Sequence, residues 1–167
     1  MKRKEGFKIL MVDDSPEDIF FVQRALDISG LGQSFNSVND AEEAIAYLCG
    51  EGPYSERINF PFPNIILTDL KMPKADGYVL LDWIDAHPDC SVIPVIVFSS
   101  SGIYEDISRV YRHGANAYIV KPSRLEDLVE LIQITYAFWS RCEIPDPPPD
   151  HTCSAGPPPP PERPKTA

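Results

Sequence analysis

The chain has 167 residues and a formal net charge of −10, because 25 Asp and Glu outnumber 15 Lys and Arg. This length suits one domain with a sizeable core and a short addition. The acidic balance excludes the basic face that nucleic-acid binding requires, and no apolar stretch approaches the roughly 18 residues of a membrane span. Four cysteines lack the spacing of a metal or redox motif, which is typical of reduced thiols. We therefore expect a soluble, cytoplasmic protein that binds neither nucleic acid nor membrane.

Apolar runs alternate with helical patterns along the chain, which predicts a parallel sheet with helices on both faces. The five runs cover residues 8–12, 34–38, 64–68, 92–98 and 118–120. The second run is the most polar and is expected at the edge of the sheet. Residues typical of helix N-caps precede four of the five helical patterns: Ser15, Asn39, Asp76 and Ser123. Ser123 is also followed three residues later by Glu126, which predicts a capping box.

Charged side chains follow three of these runs at the point where each strand ends. Asp13 and Asp14 follow the first run, Asp69 follows the third, and Lys121 follows the fifth. Parallel strands end at a common edge of the sheet, where open α/β sheets bind their ligands. Three neighbouring carboxylates repel one another unless a cation neutralises them, and Mg²⁺ prefers such oxygen ligands. The sequence therefore predicts a magnesium site at this edge.

The order of these residues is similar to that of a known family. Asp13-Asp14, the motif D-x-x-M-P-x-x-D-G over residues 69–77, Ser99 and Lys121-Pro122 together resemble the receiver domain of two-component response regulators, over roughly residues 6–141. The resemblance implies a flavodoxin-like, doubly wound sheet of five parallel strands in the order 2-1-3-4-5, with five helices. A long connection at residues 49–63 also resembles the subgroup that works with phytochrome-type sensor kinases.

The resemblance also implies a chemistry for the strand-end residues. Asp69 is expected to be the phosphoacceptor, with Lys121 and Ser99 stabilising the transferred phosphoryl group. The Mg²⁺ ligands are expected to be Asp14, Asp69, the backbone carbonyl of Lys71 and, through water, Asp13. The family usually has a cis peptide bond between Lys121 and Pro122. It also couples a strand-4 hydroxyl to a strand-5 aromatic, which predicts a switch formed by Ser99 and Tyr118.

Together these expectations predict that the protein is a stand-alone response regulator. It would accept phosphate from a sensor histidine kinase and would not be a turnover enzyme. A hydrolase of the haloacid-dehalogenase kind would need an aspartate where this chain has Lys71. A flavodoxin-like cofactor binder would need a Ser, Thr and Gly-rich loop in place of Asp13 and Asp14. A degenerate receiver that serves only as a scaffold remains a third alternative.

The C-terminal part carries two further predictions. Ten of the 18 prolines lie in residues 145–164, which predicts a disordered tail at 143–167 after a receiver domain at 1–142. The fifth helix carries a second apolar stripe, Leu131, Ile134 and Phe138, beyond the one face that a monomer needs. Either the tail covers this stripe or a second chain does, and we expect a homodimer through this helix. The resemblance extends the signalling face to helix 4, strand 5 and helix 5.

Overall fold

The computed structural model describes residues 6–74, 76–148, 150, 152 and 153 of the chain. Within these residues, five parallel strands form one sheet in the order β2-β1-β3-β4-β5. The strands are β1 (Ile9–Val12), β2 (Phe35–Val38), β3 (Ile65–Thr68), β4 (Val95–Ser99) and β5 (Ala117–Val120). The predicted fold class is confirmed, and the polar β2 lies at the sheet edge. The fourth strand begins later than predicted, after Pro94, which has no N–H to donate to a neighbouring strand.

Helices cover both faces of this sheet. They are α1 (Pro16–Ile28), α2 (Ala41–Cys49), α3 (Gly77–Ala86), α4 (Tyr104–Arg112) and α5 (Leu125–Trp139). Successive side chains of a strand point to opposite faces, so Leu10 and Val12 pack with α2, α3 and α4, and Ile9 and Met11 pack with α1 and α5. No helix in the described part of the chain is long and apolar enough to cross a membrane.

The helix starts test the predicted capping residues. Ser15 caps α1, since its hydroxyl accepts a hydrogen bond from the N–H of Asp18 at 3.2 Å, and Asp76 caps α3. The prediction for α2 is wrong by one residue, because Asp40 immediately precedes the first turn and accepts from the N–H of Glu43 at 2.8 Å. The predicted capping box of α5 is wrong as well. That helix begins after Arg124, whose side chain makes no capping bond, so Ser123 lies one residue too early.

The long connection between α2 and β3 is packed by its own side chains. The ring of Tyr54 lies 5.1 Å from the rings of both Tyr47 and Phe60. The Arg57 guanidinium donates to the backbone carbonyl oxygens of Tyr47 at 2.8 Å, Leu48 at 2.9 Å and Phe60 at 3.0 Å. Two of these carbonyls belong to the last turn of α2, where they lack the usual intrahelical bond from the residue four positions on. Arg57 thus fixes the connection against the end of the helix.

The described part of the C-terminal tail lies along the edge of the sheet where the strands begin. We call residues 143–148, 150, 152 and 153 the C-terminal strap. Residues 144–147 line one side of a cleft of about 270 Å³, opposite residues that immediately precede β1, β3 and β4. Cys153 is only 2% exposed and forms a disulfide bond with Cys90. The expectation of reduced thiols is therefore wrong for these two residues.

Proline disfavours helix and sheet but also restricts the chain to extended paths, which suits a strap. The boundary at residue 142 stays a prediction, and residues 154–167 lie outside the described residues.

Candidate functional site

Two of the predicted carboxylates lie side by side where β1 and β3 end. Val12 is paired with Thr68 across these strands, so the residues that follow them, Asp13 and Asp69, lie level with each other. The N–H of Asp69 donates to the carbonyl oxygen of Val12 at 2.9 Å, and the N–H of Asp13 donates to that of Val38 at 3.0 Å. The ladder of the sheet therefore sets the positions of both acids.

Lys121 joins this cluster from the end of β5. Its ammonium nitrogen lies 2.7 Å from a carboxylate oxygen of Asp13, 2.7 Å from one of Asp18 and 3.1 Å from one of Asp69. A lysine ammonium has three N–H donors, so these three carboxylates use all of them. The N–H of Lys121 also donates to the carbonyl oxygen of Ser99 at 2.9 Å, which ties this residue to the end of β4. Of the three predicted acids, Asp13 and Asp69 contact Lys121, and Asp18 is its third partner in place of Asp14.

The peptide bond between Lys121 and Pro122 is trans, as are the other peptide bonds of the described residues. The expectation of a cis bond is therefore wrong. The backbone after β5 directs the Lys121 side chain toward Asp13 and Asp69 with the ordinary isomer, so the ion pairs do not depend on the rarer one.

Burial and charge pairing act in opposite directions on these groups. Burial lowers the pKa of Lys121, but its hydrogen bonds to Asp13 and Asp18 outweigh burial, and the pKa is raised overall. Burial raises the pKa of Asp13 and exceeds the opposing effects of Lys121 and of the Ser15 N–H. Lys121 is therefore positively charged at neutral pH. The Asp13 side chain is fully buried, so its negative charge is the costliest in the cluster, and a nearby cation favours it.

The carboxylates are suited to a divalent cation. One ligand oxygen from each of Asp13, Asp14 and Asp69 lies within 4.8 Å of the others, and oxygen ligands of this kind suit Mg²⁺. Asp14 is exposed and lines an open cleft of about 470 Å³ together with Lys71 and Tyr78. A metal ion can therefore reach Asp14 from solvent through this cleft. That the Lys71 carbonyl is a ligand stays a prediction.

The two residues predicted to form a switch are linked through Ser101. Ser99 is 1% exposed, and its hydroxyl oxygen accepts from the N–H of Ser101 at 3.4 Å. The Tyr118 ring is partly buried against the apolar cluster of α2, α3 and α4, and its hydroxyl donates to the Ser101 carbonyl oxygen at 2.6 Å. Ser101 in turn donates from its own hydroxyl to Asp106 at 2.8 Å. The segment after β4 therefore contacts both predicted switch residues.

Asp18 is a site residue that the sequence analysis did not identify. Its N–H donates to the capping Ser15, and its carboxylate accepts from Lys121. The available signal was its position in the first turn of α1, which begins directly after Asp13 and Asp14 at this edge of the sheet.

Comparison with known proteins agrees with this geometry. Residues 9–133 match the family model of the response regulator receiver domain, and the chain belongs to this family. Among curated relatives, response regulator Rcp1 of Synechocystis sp. (strain ATCC 27184 / PCC 6803 / Kazusa) is 37% identical over 131 residues, which cover 78% of this chain and 87% of Rcp1.

Solved structures of phytochrome-associated regulators are also similar to this chain. The phosphorylated cyanobacterial phytochrome response regulator RcpA superposes with a TM-score of 0.76 at 35% identity, covering 85% of this chain and all (100%) of RcpA. The Mn²⁺-bound form of Rcp1 superposes with a TM-score of 0.71 at 35% identity, covering 83% of this chain and 98% of Rcp1. The predicted resemblance, including its phytochrome-associated subgroup, is confirmed.

Proposed function

We propose that Asp69 accepts a phosphoryl group from the phosphohistidine of a sensor histidine kinase, with Mg²⁺ as the cofactor. The observation that carries this proposal is the Lys121 ammonium, 2.7 Å from Asp13 and 3.1 Å from Asp69, beside oxygens suited to a divalent cation. The similarity to phytochrome response regulators supports a phytochrome-type kinase as the donor, and with it a reaction in the cytoplasm. The chain modifies its own residue and is not a turnover enzyme.

The chemistry follows from the groups around Asp69. A carboxylate oxygen of Asp69 forms a bond to phosphorus as the phosphorus–nitrogen bond of the donor breaks, and the electron pair of that bond stays on the imidazole nitrogen. Negative charge spreads over three equatorial oxygens in the transition state. Lys121 offers a positive charge at this position, and the Ser99 hydroxyl offers a hydrogen-bond donor. Bound Mg²⁺ would supply further neutralisation of charge on the phosphoryl group.

The test uses a small phosphoryl donor in place of the kinase. The intact mass of the full chain, incubated with acetyl phosphate or phosphoramidate and Mg²⁺, is expected to rise by one phosphoryl group. Chelation with EDTA is expected to abolish the rise, because the clustered carboxylates then lose the cation that offsets their charge. Labelling that continues in EDTA contradicts the metal-dependent reaction, and a complete lack of labelling contradicts the acceptor role.

We also propose that the signal passes through Ser99, Ser101 and Tyr118 to the face formed by α4, β5 and α5. The Ser99 side chain rotates so that its hydroxyl donates a hydrogen bond to a phosphoryl oxygen. This rotation moves the Ser99 hydroxyl oxygen away from the Ser101 N–H, which lies 3.4 Å from it before phosphorylation. Because Tyr118 donates to the carbonyl of the same Ser101 at 2.6 Å, displacement of Ser101 releases the ring to a new rotamer.

A structure with beryllofluoride on Asp69, compared with one without it, tests this switch. We expect changed rotamers of both Ser99 and Tyr118, and loss of the hydrogen bond from Tyr118 to Ser101. A Tyr118→Phe variant, which lacks that hydroxyl in both states, serves as the control. Unchanged rotamers in the wild type would refute the coupling.

The second apolar stripe of α5 supports a homodimer. Ile134 and Phe138 are each 60% exposed, whereas Leu131 packs against the core, so the free stripe is narrower than the sequence suggested. The described C-terminal strap does not cover it, because this segment lies against the residues that precede β1, β3 and β4 and is bonded to Cys90. We propose that a second chain covers Ile134 and Phe138, since symmetric pairs are the commonest soluble assemblies.

Light scattering tests the dimer. The wild type is expected to reach twice the monomer mass at high micromolar concentration, and Ile134→Asp with Phe138→Asp to remain monomeric, because both charges would be buried without partners. Phe20→Asp provides a matched control, since Phe20 is 66% exposed on α1. A wild type that stays monomeric with and without beryllofluoride would refute the dimer.

A further inference from the structure

Two cysteines that are 63 residues apart in the sequence are joined by a disulfide bond. Both belong to the apolar cluster formed with α2, α3 and α4. Cys90 follows α3, where its N–H donates to the carbonyl oxygen of His87 at 2.9 Å. Cys153 closes the C-terminal strap, and the two Cα atoms are 5.9 Å apart, a separation that a disulfide bond requires. Both residues are buried, with 0% of Cys90 and 2% of Cys153 exposed.

The noncovalent contacts of the strap are modest beside this bond. The N–H of Cys153 donates to the carbonyl oxygen of Leu48 at 2.9 Å, and one such hydrogen bond contributes little net stability. Residues 144–147 line the cleft of about 270 Å³ without filling it. Within the described residues, the disulfide is the one covalent cross-link between the strap and the body of the domain.

We propose that Cys90 and Cys153 form a redox-controlled anchor. In the oxidised state the disulfide holds the C-terminal strap against the edge where the strands begin, and a dithiol reductant releases it. A thiolate of the reductant attacks one of the two sulfurs, the sulfur–sulfur bond breaks, and the departing cysteine takes up a proton. The second thiol of the reductant then attacks the mixed disulfide, so that the protein gains two thiols and the reductant becomes a disulfide.

Cys49 is the alternative partner for Cys153, because it adjoins Leu48, to which Cys153 is hydrogen-bonded. The structure pairs Cys153 with Cys90 instead, at a Cα separation of 5.9 Å, and Cys49 stays a free thiol.

The position of the anchor makes it reversible and separate from phosphorylation. Its sulfurs are buried, so a reductant reaches them through local opening of the chain around Cys153, and a terminal segment with few hydrogen bonds opens easily even while cross-linked. In a reducing compartment such bonds are usually transient and serve redox sensing. The anchor lies at the edge where strands begin, and Asp69 lies at the edge where they end. Reduction therefore frees the strap and leaves the acceptor carboxylates in place.

Alkylation mapping of the full chain tests the bond. After equilibration with oxidised glutathione, the protein is denatured, alkylated and digested, with or without prior reduction by dithiothreitol. Reduction is expected to expose two additional thiols, and both are expected to map to Cys90 and Cys153. The Cys49→Ser variant is expected to keep this bond. A bond between Cys153 and Cys49, or both Cys90 and Cys153 alkylated without reduction, would overturn the proposal.

Two further measurements test the release of the strap. Dithiothreitol under native conditions is expected to open the bond and to remove hydrogen-exchange protection from the Cys153 amide, while phosphorylation by acetyl phosphate continues. Cys153→Ser is expected to show the same loss of protection without reductant, and to lower the Tm by about 5–15 °C relative to the oxidised wild type, because the long loop is no longer closed. A bond that resists dithiothreitol until the protein unfolds, or a strap that stays protected after reduction, would overturn the redox-controlled anchor.

Discussion

Asp69→Asn is expected to abolish phosphoryl incorporation from acetyl phosphate while the fold is retained. The amide lacks the carboxylate charge that makes Asp69 a nucleophile. Its side-chain oxygen keeps the position that accepts from the Leu70 N–H at 2.7 Å in the wild type. Lys121 keeps its partners Asp13 and Asp18, each at 2.7 Å. The measurement is intact mass after incubation with donor and Mg²⁺, together with a thermal melt.

Asp14→Asn is the matched control for this experiment. Asp14 is exposed and belongs to the group of candidate metal ligands, so the variant keeps the nucleophile and weakens the cation site. Labelling is expected to slow and to recover at higher Mg²⁺ concentration. Phosphate found on Asp69→Asn at another residue would show that the acceptor has been misassigned.

Lys121→Met is expected to slow phosphorylation about 10²–10³-fold, which is typical for the loss of one preorganised electrostatic group. It is also expected to destabilise the protein, because the fully buried Asp13 side chain loses the ammonium 2.7 Å away. Breaking a buried ion pair from one side costs about 3–5 kcal/mol. The measurements are the rate of labelling in saturating Mg²⁺, and urea unfolding with EDTA or with Mg²⁺. Mg²⁺ is expected to restore part of the stability lost in EDTA, since it replaces the missing charge at Asp13. Excess Mg²⁺ is expected to restore little of the labelling rate, since it does not replace the donor to the phosphoryl group.

Asp18→Asn removes a different carboxylate from the same lysine. The Asp18 side chain is 40% exposed, and exposed ion pairs contribute at most about 1 kcal/mol, so its effect on unfolding is expected to be much smaller. If Lys121→Met leaves the labelling rate unchanged, the proposed role of Lys121 in phosphoryl transfer is wrong.

The candidate site was largely predictable because its residues follow strands with simple patterns. Asp13, Asp69 and Lys121 each come directly after a short apolar run, and a parallel sheet brings such ends to one edge. The caps of α2 and α5 were less predictable. Asp40 and Arg124 replace the expected Asn39 and Ser123, because adjacent residues compete for the cap and the path of the entering chain decides between them.

The sequence by itself determined the alternation of strands and helices and the acidic edge, and its resemblance to a known family supplied the strand order and the magnesium ligands. The first two depend on short apolar runs, three of which are followed by a charged residue, and such patterns are local to the chain. Only the tertiary structure decided which distant groups pair. Lys121 contacts Asp18 across 103 residues, and Cys90 bonds to Cys153 across 63. Such pairs depend on how α1 is placed against β5 and on where the C-terminal strap lies along the edge at which the strands begin, and packing of the whole domain determines both.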